Sequence, residues 1–174
     1  KKLNDRADTN YYHWYMMSGA YGGLKQYEQA LEMSDRALKV FEEYGDHDNE
    51  QGIKMKLVKQ RGEILCALNE YERGLKYLEE EIKAFEEDTE IDGDRMPFLI
   101  LKSFWLRAKA QWISDGGCKC DDDELQELKL TMKQIVDKIS GEENKANREI
   151  MGYCIGAAKI LDIDIYELIL KDAL

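Results

Sequence analysis

Charge in this chain is sorted by segment. The stretch bearing Lys54, Lys56, Lys59 and Arg61 has Glu63 as its only acid once under way, and Lys102, Arg107 and Lys109 meet no acid before Asp115. The stretches that follow are reversed, with Glu28, Glu32, Asp35, Glu42 and Glu43 in one and Glu72, Glu79, Glu80, Glu81, Glu86 and Glu87 in another. A wall of ammonium and guanidinium groups suits an acidic peptide, a terminal carboxylate or a phosphate, because charge-assisted hydrogen bonds to oxyanions are strong and directional. The same sorting also arises on solvated helix faces carrying pairs four residues apart. Tyr11, Tyr12, Trp14 and Tyr15 add an aromatic cluster. Trp14 is expected in the core, while Tyr12 and Tyr15 either receive a ligand side chain or pack beneath a preceding helix.

Other chemistry is thinly supplied. Asp88 to Asp94, DTEIDGD, imitates a calcium loop with Gly93 at its sixth place, but Leu99 stands at the twelfth where a bidentate Glu is needed. A solvated acidic loop is the expectation. Cys118 and Cys120 give two of the four ligands zinc requires, and His13 and His47 are remote in sequence, so no metal and no cofactor are predicted. Gly-rich phosphate loops, GxSxG and HExxH are absent, and no Cys lies in a nucleophile setting, which argues against an enzyme.

Composition narrows the partners further. The chain has 174 residues, 44% of them hydrophobic, one proline and a formal net charge of -11. That charge disfavours nucleic acid as a ligand of the whole surface and leaves a protein or peptide, an acidic one included, as the expected partner. No apolar run reaches the roughly 18 residues of a membrane span, and no basic n-region followed by an apolar stretch marks a signal peptide, so no membrane partner is predicted. The irregularly spaced Cys66, Cys118, Cys120 and Cys154 suit a reducing cytoplasm. The sequence opens on Lys1 and Lys2 without an initiator Met, and the expectation is a piece of a longer protein.

The elements that must position these groups come from an internal repeat. Leu24 to Tyr44 returns as Leu68 to Asp88, with Tyr27 matched to Tyr71, Leu31 to Leu75, Lys39 to Lys83 and Phe41 to Phe85, each 44 residues on. Apolar and small residues recur at three and four, the period of a buried helix face. Such a step predicts stacked helical hairpins, each needing its neighbour to cover an apolar face. The prediction is one all-α domain over 1–174, with hairpins about 9–44, 50–88 and 97–139 and closing helices about 144–174. Gly152 and Gly156 are expected to admit the closing helix Ile163 to Leu174, or else a second copy of the chain in a homodimer. Core positions are predicted at Trp14, Tyr21, Tyr27, Ala30, Ala37, Leu38, Leu65, Tyr71, Leu75, Phe85, Phe104 and Ile135.

Trp14, Met17, Ser18, Tyr21, Tyr27, Ala30, Ser34 and Ala37 hold the spacing of a tetratricopeptide repeat, and the first hairpin resembles that family. The second keeps Gly62, Tyr71 and Gly74 but departs at Arg61 and Glu81, and its helices exceed the family norm in length. The resemblance implies a right-handed superhelical stack of antiparallel hairpins with a C-terminal capping helix. It also implies that first helices line a concave groove, which would be basic on an acidic protein. On the family's positions Tyr12, Tyr15, Gly19, Lys56, Lys59, Glu63 and Cys66 face the groove, joined by Lys102 and Arg107 further on. The Lys and Asn pattern of chaperone-tail clamps is not reproduced at Tyr15 and Gly19. Long-helix arrays of this kind are similar to the sensing domains of bacterial peptide-responsive transcriptional regulators. The expected function is therefore peptide or protein binding in such a regulator, the alternative being an architectural adaptor or oligomerisation module with an empty groove.

Overall fold

A computed structural model describes residues 9–45, 50–87, 96–139 and 145–165. These form seven helices and no strand: α1 (Tyr11–Gly23), α2 (Tyr27–Tyr44), α3 (Glu50–Ala67), α4 (Tyr71–Glu87), α5 (Met96–Ser114), α6 (Asp122–Ile139) and α7 (Lys145–Ile160). The chain is all-α over the described residues, as the periodicity predicts. It divides into two compact units, Lys1–Pro97 and Phe98–Leu174.

In the first unit α1 packs on α2, α2 on α3 and α3 on α4, and α1 also touches α3. Asn10 starts α1 by accepting the Tyr12 N–H on its side chain at 3.0 Å, which satisfies one of the free donors of a helix start. Small residues set the crossing of the first hairpin. Ser18 and Ala30 are fully buried, and the Ser18 hydroxyl donates to the Ala30 carbonyl at 2.8 Å. In the second hairpin glycines take those places 44 residues on. A methyl group on Gly62 would lie 2.7 Å from Leu78, and one on Gly74 3.1 Å from Leu65. Ala30, Ala37, Leu65 and Leu75 are buried as predicted, whereas Trp14, Tyr21, Tyr27, Leu38, Tyr71 and Phe85 are half-buried. Aromatic rings and long aliphatics at a helix seam cover the core with one edge and keep the other at the surface.

The two departures from the family pattern have structural partners. Arg61 donates to Asp35 of α2 at 2.7 Å and lies 4.4 Å over the ring of Tyr77 in α4. Glu81 of α4 pairs with Lys54 of α3 at 3.0 Å. Both groups tie α3 to its neighbours at positions where the repeat pattern puts neutral residues.

α1, α3, α5 and α7 end in the same turn. Lys25, Asn69, Gly116 and Asp162 have φ of 60°, 62°, 77° and 54°. The next amide reaches back to Tyr21, Leu65, Trp112 and Ala158 respectively, each at 2.9 Å, which closes a Schellman motif. Only Gly116 adopts the left-handed region without a Cβ penalty.

In the second unit Asp121 accepts the Glu124 N–H at 2.8 Å and starts α6, as the acidic run Asp121 to Glu124 predicts. Lys109 of α5 pairs with Glu124 at 2.8 Å. Phe104 meets Tyr153 of α7 edge-on at 5.7 Å and is half-buried, while Ile135 is fully inside. The surface of Gly156 is covered by Arg107, whose Nε would lie 2.5 Å from a Cβ placed there. Gly152 faces open space among the described residues. The chain is helical again at Ile165, and the rest of the predicted closing segment lies outside the described residues, as does the calcium-like stretch 88–94.

Candidate functional site

α1 carries no charged residue in thirteen, so none of its faces is reserved for water by charge. One face meets α2 through Ser18 and through a core cluster of Ala37, Phe41 and Leu57, against which Tyr11, Trp14 and Tyr15 pack. Tyr11 stands edge-on to Phe41 at 5.2 Å, and the Arg36 guanidinium caps the Trp14 ring at 5.0 Å. Trp14 is thus a packing residue, as expected. Tyr12 keeps 56% of its surface exposed and lies 6.1 Å from Tyr15, ring to ring.

The seam of α1 with α3 holds two cavities. The first, about 340 Å³, is lined by Tyr11, Tyr12, Tyr15, Ile53, Lys56 and Leu57. Its walls are aromatic and aliphatic, and Lys56 is its only charged residue. Lys56 is exposed and has no ion-pair partner among the described residues, so its ammonium is available to an incoming anion. The second cavity, about 270 Å³, is lined by Ser18, Gly19, Gly22, Tyr27, Gln60, Glu63, Ile64 and Ala67. Gln60 donates through Nε2 to the Tyr15 carbonyl at 3.2 Å, which fixes the orientation of its amide, and its Oε1 is buried with no partner among the described residues.

Of the predicted groove residues, Tyr12, Tyr15 and Lys56 meet at the first cavity, and Gly19 and Glu63 at the second. Lys59 is bound to Glu63 at 2.6 Å, which compensates both charges. Cys66 lies against α4, its Sγ 3.5 Å from where a Gly74 Cβ would be. Burial, with Glu63 second, pushes its thiol up to about 11. Lys102 and Arg107 belong to the second unit, where Lys102 lies 5.7 Å over the Phe98 ring and Arg107 covers Gly156. Ile53, Leu57 and Gln60 were not among the predicted site residues. The stripe 53, 56, 57, 60, 63 and 67 along one face of α3 is the signal that finds them.

Among the described residues no cluster of three or more His, Cys, Asp or Glu is placed to hold a metal, and no helix is long and apolar enough to cross a membrane. Comparison with protein-family models, with curated proteins and with solved structures gives no match to this chain.

Proposed function

We propose that the first unit binds a peptide or a protein segment along the seam of α1 and α3, with Tyr12, Tyr15 and Lys56 at the anchoring cavity. The observation that carries this reading is the meeting of those three residues around a 340 Å³ cavity whose only charge, Lys56, has no ion-pair partner among the described residues. A cavity of that size with mostly apolar walls and one polar handle has the make-up of a ligand site. The preferred occupant is an apolar or aromatic side chain next to a carboxylate. Hairpins that cross at Ser18 and Ala30, and at Gly62 and Gly74, support a tetratricopeptide-like superhelical stack as the scaffold. The role is non-catalytic, and the resemblance of the long-helix repeat favours a cytoplasmic bacterial regulator as host.

Selection from a random heptapeptide display library tests this on the full chain. Enriched peptides should carry an apolar residue beside Asp, Glu or a free C-terminus, and Lys56→Glu or Tyr12→Ala should remove their binding. Lys39→Glu, on the exposed face of α2, should not. Equal binding by all variants would overturn the site. The architectural alternative has its own support in Tyr12 and Met16, both more than half exposed and four residues apart on uncharged α1. It predicts a concentration-dependent dimer in analytical ultracentrifugation that Met16→Glu dissociates and peptides do not affect.

A further inference from the structure

The connection between α5 and α6 holds Cys118 and Cys120, with Lys119 between them. Both cysteines are half-buried while Lys119 is exposed, so the two thiols share the side of the connection that faces the protein. Two residues span at most about 7 Å, and a disulfide joins Cα atoms up to about 6.8 Å apart, so a slight bend brings this pair within bonding range. The chain does bend at Gly117 and Cys118. Lys109 of α5 and Glu124 of α6, joined at 2.8 Å, act on the pair from the two flanking helices. The Trp112 indole occupies the space that a side chain on Gly117 would take, with Lys109 Nζ 5.4 Å from its ring. Burial raises both thiols. At Cys118 the Lys109 ammonium opposes that rise by more than Glu124 adds to it, whereas at Cys120 Glu124, Asp121 and the charge of Cys118 itself all outweigh Lys109.

We propose that Cys118 and Cys120 are a thiol–disulfide exchange site, whose substrate is a low-molecular-weight disulfide and whose product is an intramolecular disulfide in the α5 to α6 connection. This reading is independent of the peptide site, which lies in the first unit. Cys118, the thiol that Lys109 favours, loses its proton and attacks one sulfur of the small disulfide. A mixed disulfide forms, and the first small thiolate leaves and takes up a proton. Cys120 then loses its proton and attacks the Cys118 sulfur, expelling the second small thiol. Two electrons and two protons pass from the protein to the small disulfide, which becomes two thiols. Carboxylates beside the pair deny it the stabilised thiolate that makes a protein disulfide strongly oxidising, so the closed form persists until an excess of small thiol reopens it. Where small thiols are kept reduced the pair rests open, and it closes as their disulfide accumulates.

Mixing the reduced full chain with oxidised glutathione tests this by intact mass and tryptophan fluorescence. The product should be lighter by two hydrogens, retain no glutathione and emit less, because a disulfide beside an indole quenches it. Trp112→Phe should remove the change in emission and leave the change in mass. Cys118→Ser and Cys120→Ser should each keep one glutathione, and Cys120→Ser should take it up several times faster. Lys109→Met should slow closure in the otherwise native chain, and Glu124→Gln should speed it. A native product that still carries glutathione, a bridge to Cys66 or Cys154 on peptide mapping, or no reaction at Cys118 and Cys120 would overturn the site. Faster uptake by Cys118→Ser would overturn attack by Cys118, and unchanged closure in Lys109→Met and Glu124→Gln would overturn the roles given to those two charges.

Discussion

The hydroxyl of Ser18 donates a 2.8 Å hydrogen bond to the carbonyl of Ala30, joining the two helices of the first hairpin where both residues are fully buried. Ser18→Ala removes that bond and should cost about 1 kcal/mol. Ala30→Leu forces a branched side chain into the same crossing and should cost roughly 1 to 3 kcal/mol. Urea denaturation measures both, and unchanged stability in the Leu variant would contradict the contact.

Gly62 and Leu78 make the matching crossing in the second hairpin. Ala normally gains about 1 kcal/mol over Gly within a helix. Here a methyl group at Gly62 would come within 2.7 to 2.9 Å of three atoms of Leu78, which is itself fully buried. Gly62→Ala should therefore lower Tm, and Gly62→Ala combined with Leu78→Val should recover part of the loss.

Lys25 and Asn69 hold φ near 60° in exposed turns. A side chain in this region costs about 1 to 2 kcal/mol, less for Asn than for Lys. Lys25→Gly should stabilise the first unit, and Asn69→Gly should do so by less. Chemical denaturation ranks the two variants, and a loss of stability in Lys25→Gly would refute the strain.

The cysteines should separate by reactivity. Burial pushes the Cys154 thiol up to about 12, and burial with Glu63 pushes Cys66 up to about 11, whereas Cys118 and Cys120 lie near the surface in the α5 to α6 connection. A disulfide reagent at about pH 8 should modify Cys118 and Cys120 in the folded protein and reach the other two only on unfolding. An ordinary thiol titrates at 9.0. Above that pH the unfolded chain loses the Cys66 proton first, so stability should fall as pH rises from 9 toward 11. Cys66→Ala should flatten that slope.

Arg61 bridges α2 and α4 through Asp35 and Tyr77 with only 16% of its side chain exposed. Arg61→Met, which restores the neutral residue found one repeat back at Met17, should cost about 1 to 2 kcal/mol. A double-mutant cycle with Asp35→Ala should recover a coupling, and strict additivity would show that the pair is idle.

The helices and their two crossings were legible in the sequence because burial at Ser18, Ala30 and Ala37 repeats with the helical period and again at Gly62 and Gly74. Arg61 and Glu81 read as losses of pattern, since pattern records apolar burial and cannot show that charges on consecutive helices are paired. The left-handed turns at Lys25 and Asp162 were illegible for a related reason: neither residue type advertises a conformation that main-chain hydrogen bonds impose. Tyr12, Tyr15 and Lys56, named together from the positions of the family the repeat resembles, line one cavity. Gln60 was missed because its part depends on which amide atom the Tyr15 carbonyl engages. Arg107 was assigned to a groove on charge alone, and the open surface of Gly156 gave its long side chain a place to lie.

The turns at Lys25, Asn69, Gly116 and Asp162 fall 44, 47 and 46 residues apart, well past the point where similarity between repeats fades. Their geometry is written in main-chain bonds, so it outlasts replacement of nearly every side chain around them. A stretch cut between two of these exits carries its own start and stop. Tandem duplication could lengthen such a chain without a redesigned junction, and the copies would stay in step long after they ceased to look alike.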